Sequence, residues 1–306
     1  MLTVSNYHYI RNKFKANYPS IFGLTPKEFQ QQLMLLKKQG DFMSPNNLVS
    51  NIDEVLKSKE NILLITFDDG LKEQFDLALP ILNELNIPVI FFANSLNFED
   101  KKVSTVHKIH LLRSIISTTE FLDKILKIEK VDFSDLEKVK AKEIYRYDDE
   151  NSAVLKYILN FKLNFKQQEG IIKNMFDLHF EESSVLESLY MSEENLKEIA
   201  KLGYLGSHTH SHYPLGLLNT EKIKFELENT KTFFERLTGS KLDLVSYPYG
   251  TPETCTDEVA EMAKKVGYKL GFTTNRGINT ATSNHLLLNR FDCNDLLGGK
   301  NYKEKL

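Results

Sequence analysis

Short apolar runs alternate along this chain with amphipathic segments of helical period, and that alternation restricts its fold more than any single residue does. Ile62-Leu63-Leu64-Ile65 lacks the polar alternation of a strand with one wet face. It reads as a strand buried on both sides, the pattern of a parallel sheet. The same reasoning predicts strands at Leu2–Asn6, Ile62–Phe67, Val89–Ala93, Tyr204–Ser207, Leu242–Tyr247, Lys269–Thr273 and Leu286–Phe291. Helical signals lie between them. Thr25-Pro26-Lys27-Glu28 is a capping box with proline at the first helical position and predicts a helix to about Lys38. Ser192 caps a helix over Glu193–Leu202 that stops at Gly203. A further helix runs from about Glu221 to Leu237 and ends at Gly239, and one capped by Thr256 reaches Val266 before Gly267. Strands separated by helices are βα units, and they predict one α/β barrel domain over residues 1–306.

Residues 96–190 break this rhythm. They are rich in Lys, Glu, Leu and Ile at helical spacing and poor in Gly and Pro, so they predict a mainly helical insertion within the barrel. At 41% hydrophobic and 26% charged residues, the composition is that of an ordinary globular chain. A formal net charge of −3 gives no electrostatic case for nucleic acid or an anionic membrane as partner. No apolar stretch approaches the roughly 18 residues of a membrane span. The N-terminal residues lack a basic region followed by a long apolar one, so a cytoplasmic protein is expected. Cys255 and Cys293 are too few for a disulfide framework and are expected to be semi-buried thiols.

The residues with chemical potential all fall at the C-terminal ends of the predicted strands: His8, Asp68, Asp69, His208, His212, Tyr249 and Arg290. In parallel α/β barrels the active site is assembled from those ends. Thr66-Phe67-Asp68-Asp69-Gly70 places two carboxylates together, which is costly unless a cation shares them. Asp-Gly is also a common turn dipeptide. Successive residues leaving a strand point in different directions, so one carboxylate can bind a metal while its neighbour faces a reacting water. The same geometry argues against a glycosidase pair, whose carboxylates face each other across a bond. Gly206-Ser207-His208-Thr209-His210-Ser211-His212 supplies imidazoles. The i, i+4 spacing of His208 and His212 predicts two rings on one side of a helical turn, with His210 pointing elsewhere. Two His and one Asp form a ligand set for a divalent transition metal with open positions for water and substrate. In Ser246-Tyr247-Pro248-Tyr249-Gly250 a tight loop after a strand offers backbone N–H groups to an oxyanion, although proline at a strand end is also simply a terminator.

These motifs, in this order and after strands, resemble the polysaccharide deacetylase family, the NodB-homology group or carbohydrate esterase family 4. The resemblance covers roughly residues 61–95 and 190–292. It implies a distorted (β/α) barrel of the NodB type that removes N-acetyl groups from amino sugars with a divalent metal, commonly Zn2+. It implies that Asp69, His208 and His212 are metal ligands and Asp68 the catalytic base. It also implies that the backbone N–H of Tyr249 holds the oxyanion and that Tyr247, Pro248 and Tyr249 bind substrate. Two departures stand out. Where the family's third motif carries an arginine that orients the base, this chain has Ser246, and the late Leu-x-His motif is replaced by Leu288-Asn289-Arg290-Phe291-Asp292. Tyr7-His8 is similar to the N-terminal Tyr-His motif of circularly permuted members, which makes His8 the expected general acid and Arg290 the candidate replacement for the arginine.

The expected activity is removal of an acetyl or similar acyl group from an amino sugar in a surface-glycan precursor (nucleotide-linked or lipid-linked) or in an oligosaccharide. The alternatives are a non-catalytic sugar-binding or regulatory protein on the same barrel, and a deformylase or O-acetyl esterase of a sugar.

Overall fold

The computed structural model describes residues 1–128, 131–144 and 149–303. The strands are β1 (Leu2–Tyr7), β2 (Tyr9–Ile10), β3 (Gly23–Leu24), β4 (Asp41–Phe42), β5 (Ile62–Phe67), β6 (Val89–Ala93), β7 (Leu205–Ser207), β8 (Leu244–Ser246), β9 (Leu270–Phe272) and β10 (Phe291–Asp292). The helices are α1 (Pro26–Leu36), α2 (Pro45–Lys57), α3 (Leu79–Leu85), α4 (Leu96–Glu99), α5 (Thr105–Ile115), α6 (Thr118–Ile128), α7 (Asp135–Ile144), α8 (Glu150–Tyr157) and α9 (Phe165–Asp177). They continue with α10 (Glu182–Leu189), α11 (Glu193–Lys201), α12 (Thr220–Thr238) and α13 (Asp257–Val266). The chain forms two compact units, one of Met1–Lys13, Gly23–Lys102 and the residues from Val185 onward, the other of Phe14–Phe22 and Val103–Ser184.

The first unit is a parallel sheet in the order β10-β1-β5-β6-β7-β8-β9, with β4 on the part of β5 that precedes its pairing with β6. Ser5 pairs with Phe291 at one edge, and at the other Phe272 bridges to Leu288. The segment 288–292 therefore joins both edges of the sheet, which curls into a distorted barrel, as expected from the sequence. The predicted strand over Leu286–Phe291 is cut short for the same reason. It changes neighbour, from β9 at Leu288 to β1 at Phe291, and never runs long beside either.

Alternation along the strands sorts side chains to two faces. Leu2, Val4, Leu64, Ile90, Phe92, Leu244, Leu270, Phe272 and Leu288 share one core with Leu48, Ile52, Val55 and Leu56 of α2. α2 was not predicted from the sequence, although its apolar positions recur at helical spacing behind the N-cap Ser44. On the other face Val245 packs against Ile223 and Leu227 of α12 and Val259, Ala260 and Ala263 of α13. The predicted caps at Thr25, Ser192, Gly239, Thr256 and Gly267 all form. Cys255 and Cys293 are free, buried thiols, and burial pushes Cys255 up to about 12.

The second unit is helical, and Leu112, Phe121, Ile125, Ile171, Ile172, Met175 and Phe176 are buried in it. There Lys108 pairs with Glu182 at 2.6 Å. Within the stretch 96–190 assigned to an insertion, residues 129–130 and 145–148 lie outside the described residues, as do 304–306 at the end of the chain. No helix among the described residues is long and apolar enough to cross a membrane.

Candidate metal centre and the carboxylate beside it

At the strand ends the inward-facing positions turn from apolar to polar. Asn6, Thr66, Asp68, Ser246 and Arg290 follow the core residues of β1, β5, β8 and the closing segment, and all are buried. Arg290 joins them: Nη1 donates to Asp68 Oδ1 at 2.8 Å, Nη2 to Asp68 Oδ2 at 2.7 Å and to Ser246 Oγ at 2.8 Å. Its Nε donates to the Thr273 carbonyl at 2.8 Å, and Nη1 also reaches Asn6 Oδ1 and Thr66 Oγ1, each at 3.2 Å. Burial alone would push the Asp68 carboxyl up. The Arg290 charge, its paired hydrogen bonds and the nearby imidazoles outweigh that and hold it well below the usual carboxylate range. Asp68 is therefore ionised at neutral pH. Ser246 leaves the room that the fork of Arg290 fills, so the arginine comes from a different strand position than in the third motif. His8 sits on the same carboxylate, with Nε2 at 4.0 Å from Asp68 Oδ2 and its side chain 40% exposed.

Asp69 turns the other way, with φ of +80° followed by Gly70 at +63°. A Cβ on Gly70 would lie 2.9 Å from the Ala93 Cβ, so the turn needs glycine for space as well as conformation. Asp69 Oδ1 lies 3.6 Å from His208 Nε2 and 3.3 Å from His212 Nε2. One ligand atom from each residue falls within 4.8 Å of the others. His208 Nδ1 donates to the Ser246 carbonyl at 2.8 Å, which fixes the tautomer and leaves the Nε2 lone pair facing Asp69. Burial lowers His208 to about 4, so this imidazole is neutral at pH near 7. A neutral imidazole nitrogen and a carboxylate oxygen aimed at the same point are acceptors without a shared proton, and a divalent cation satisfies both. The donor set fits zinc and similar borderline metals.

His208 and His212 do converge, with ring centroids 5.0 Å apart, but not through the helical turn expected from their spacing. The segment is a loop in which Thr209 and His212 take φ of +62° and +61°. Such backbone is sparsely populated by non-glycine residues and persists where the surroundings impose it. Here they do. Asn94 Nδ2 donates to the His208 carbonyl, Thr230 Oγ1 to the Thr209 carbonyl at 3.1 Å, and the Ser211 N–H to Glu226 Oε2 at 2.7 Å. His210 turns away to Ser95 Oγ at 2.8 Å, as expected. Asn94, Glu226 and Thr230 were not singled out in the sequence. Glu226 carried a readable signal, an acid within the apolar stripe of Ile223, Leu227 and Phe234 on α12.

Tyr249 has φ of +63°, and its ring stands 5.4 Å from that of His212. Pro248 is buried. Tyr247 is a correction: strand alternation sends it to the outer face, where it is 0% exposed in the apolar cluster with Leu215, Ile223 and Val259. Its side chain does not line the site and cannot bind substrate there.

The fold is a parallel α/β barrel that gathers an Asp-His-His cluster and an arginine-held carboxylate at its strand ends, where such barrels build their active sites. The polysaccharide deacetylase family model matches residues 56–161 and 166–271, and the chain belongs to that family. YxkH of Bacillus subtilis (strain 168), assigned to the polysaccharide deacetylases, is 32% identical over 89 residues, 29% of this chain and 31% of that protein. The chain thus matches less than a third of that relative's length. Among solved structures, the Streptococcus pyogenes deacetylase PplD in complex with acetate superposes with a TM-score of 0.59 at 18% identity, covering 95% of this chain and 91% of that one. IcaB from Ammonifex degensii gives a TM-score of 0.59 at 19% identity over the same shares. A de-N-acetylase from Aggregatibacter actinomycetemcomitans gives 0.55 at 14% identity, covering 95% of each chain. These likenesses define the fold.

Proposed function

We propose that this protein is a metal-dependent hydrolase that removes an acetyl or similar acyl group from an amino sugar, in a glycan precursor or an oligosaccharide. The observation that carries the reading is the division of the acid pair: Asp69 faces His208 and His212, while Asp68 is gripped by Arg290 with His8 at 4.0 Å. A pure binding module has no use for an ionised base beside a ligand cluster. The feature that favoured a non-catalytic reading, the serine in the third motif, is offset by Arg290 reaching the same carboxylate.

Asp69, His208 and His212 hold the metal, which when bound polarises the acyl carbonyl and makes water more acidic. Asp68, fixed by two hydrogen bonds and kept ionised, accepts the proton of the attacking water. As that water oxygen bonds to the carbonyl carbon, the backbone N–H of Tyr249 stabilises the oxyanion. The C–N bond then breaks, and His8 gives a proton to the departing nitrogen. The carboxylic acid and free amine leave, and the proton on Asp68 passes to solvent as His8 takes one up, which resets the site. Acid and base steps contribute about 10²–10⁴-fold each, and oxyanion stabilisation supplies further acceleration.

The test is acetate release from oligomeric N-acetylglucosamine and from an O-acetylated sugar by the zinc-loaded protein, since these catalytic groups serve amides and esters alike. Turnover of the amide substrate supports the de-N-acetylase, turnover of the ester alone supports an O-acetyl esterase, and tight sugar binding without release supports the non-catalytic reading.

A further inference from the structure

One fully buried side chain bonds to the backbone of both residues that handle protons. β1 and β5 stay in register as far as the hydrogen bond from the Asp68 N–H to the Tyr7 carbonyl, 3.1 Å. There the ladder ends, and Gln74, 0% exposed, bridges the two strand exits. Its Nε2 donates to the Asp68 carbonyl at 2.6 Å and to the His8 carbonyl at 3.0 Å, and its Oε1 accepts the Leu71 N–H at 3.2 Å. The side-chain amide takes over where the backbone ladder ends.

Local structure explains why Gln74 is placed there. It is the first residue of a π-helical turn, Gln74–Ala78, that leads into α3. Pro80 lies in the first turn of α3, where its missing N–H is least costly. The preceding residue holds the same N-terminal segment, since Glu73 Oε1 accepts the Ile10 N–H at 3.1 Å and Oε2 accepts Arg11 Nε at 2.6 Å. Residues 73 and 74 thus grip residues 8–11 from the β5 side.

We propose that Gln74 is a positioning residue that sets His8 against Asp68, an inference that rests on the reading of His8 as general acid. The two partners depend on it unequally. Asp68 is secured independently by the fork of Arg290. His8 has a half-exposed ring whose 4.0 Å approach to Asp68 exceeds hydrogen-bond range, so the ring does not hold itself there. Loss of the Gln74 donors therefore acts first on the acid. Misplacing a catalytic group by about 1 Å can cost roughly 10²-fold.

Gln74→Met keeps the side-chain volume and removes both donors, and Gln74→Glu keeps the acceptor for Leu71 should the methionine variant fold poorly. Two probes separate the steps: oligomeric N-acetylglucosamine, whose amine must be protonated to leave, and para-nitrophenyl acetate, whose phenolate leaves without help. The expected result is a fall of about 10- to 100-fold in kcat on the amide, with KM, zinc content and ester turnover near wild type. In a His8→Ala background Gln74→Met should cost little more, because the group it places is already gone. Amide hydrogen exchange of residues 8–11 should speed up in the variant. Equal slowing of both probes, multiplicative costs in the double variant, or unchanged exchange at residues 8–11 each overturn the proposal. If the wild-type protein hydrolyses neither probe, the functional reading fails, and the exchange measurement still decides whether Gln74 holds the His8 segment.

Discussion

A charge buried as deeply as that of Arg290 is expensive, and its five N–H groups meet acceptors at Thr273, Asn6, Thr66, Asp68 and Ser246. Breaking such a pair from one side leaves the other charge stranded, which costs about 3–5 kcal/mol, whereas the intact pair contributes little net stability. Arg290→Met is expected to destabilise the protein by that order at neutral pH. The sign of the pH dependence follows from Asp68. Its carboxyl is held below the usual range in the folded protein, so its contribution is full above the unfolded value of about 4 and is lost as pH falls through the folded one. The gap between wild type and variant in urea melts should therefore narrow in strong acid. In the variant, burial loses its main opponent and raises the carboxyl, so the acid limb of kcat/KM moves toward neutral pH. An unmoved limb would show that Arg290 does not tune the base.

At the scale of elements, His208 and His212 are carried by a loop that is not helical and that owes its shape to its neighbours. Glu226 on α12 accepts the Ser211 N–H, and Asn94 at the exit of β6 holds the His208 carbonyl. Glu226→Ala leaves the half-buried Ser211 N–H without its acceptor, a cost of about 1 kcal/mol. It should also weaken zinc binding about 10- to 100-fold, the usual consequence of removing a group that orients a ligand. Titration calorimetry with zinc checks this, and unchanged affinity would mean that the loop holds its shape without α12. The elements were unequally legible in the sequence. β5 and β6 were readable because their apolar runs are buried on both faces, and the caps of α1, α11, α12 and α13 because capping chemistry is local. The closing segment was not, since Leu288 and Phe291 answer to different strands. The ligand residues announced themselves by type and spacing. Gln74 and Asn94 did not, and Glu226 showed only as an acid in an apolar stripe, because their roles depend on which distant carbonyl or N–H the fold brings to them.

For the molecule as a whole, the proposed metal site would link ligand binding, protonation and stability. Zinc that binds only the folded chain stabilises it by mass action, by about 2.7 kcal/mol at a concentration one hundred times its Kd. The melting temperature should thus rise with zinc and fall back on chelation. Protons act on the same site. Burial lowers His208 from 6.5 to about 4, so the unfolded chain takes up the proton first. Stability from the neutral imidazole is complete above about pH 6.5, declines as pH falls from there toward 4, and is flat below. Metal-free wild type compared with His208→Gln by calorimetry isolates this contribution, because the remaining groups titrate in both. The two curves should draw together as pH falls through that window, and parallel curves would refute a buried neutral His208. With saturating zinc the decline should begin at lower pH, since a ligated nitrogen resists protonation until acid competes the metal away. A barrel closed by its own C-terminal segment is held at the same end by the pair of Arg290 and Asp68. Acid therefore acts first on the Asp69–His208–His212 cluster, through His208, and on the Asp68–Arg290 pair only at lower pH.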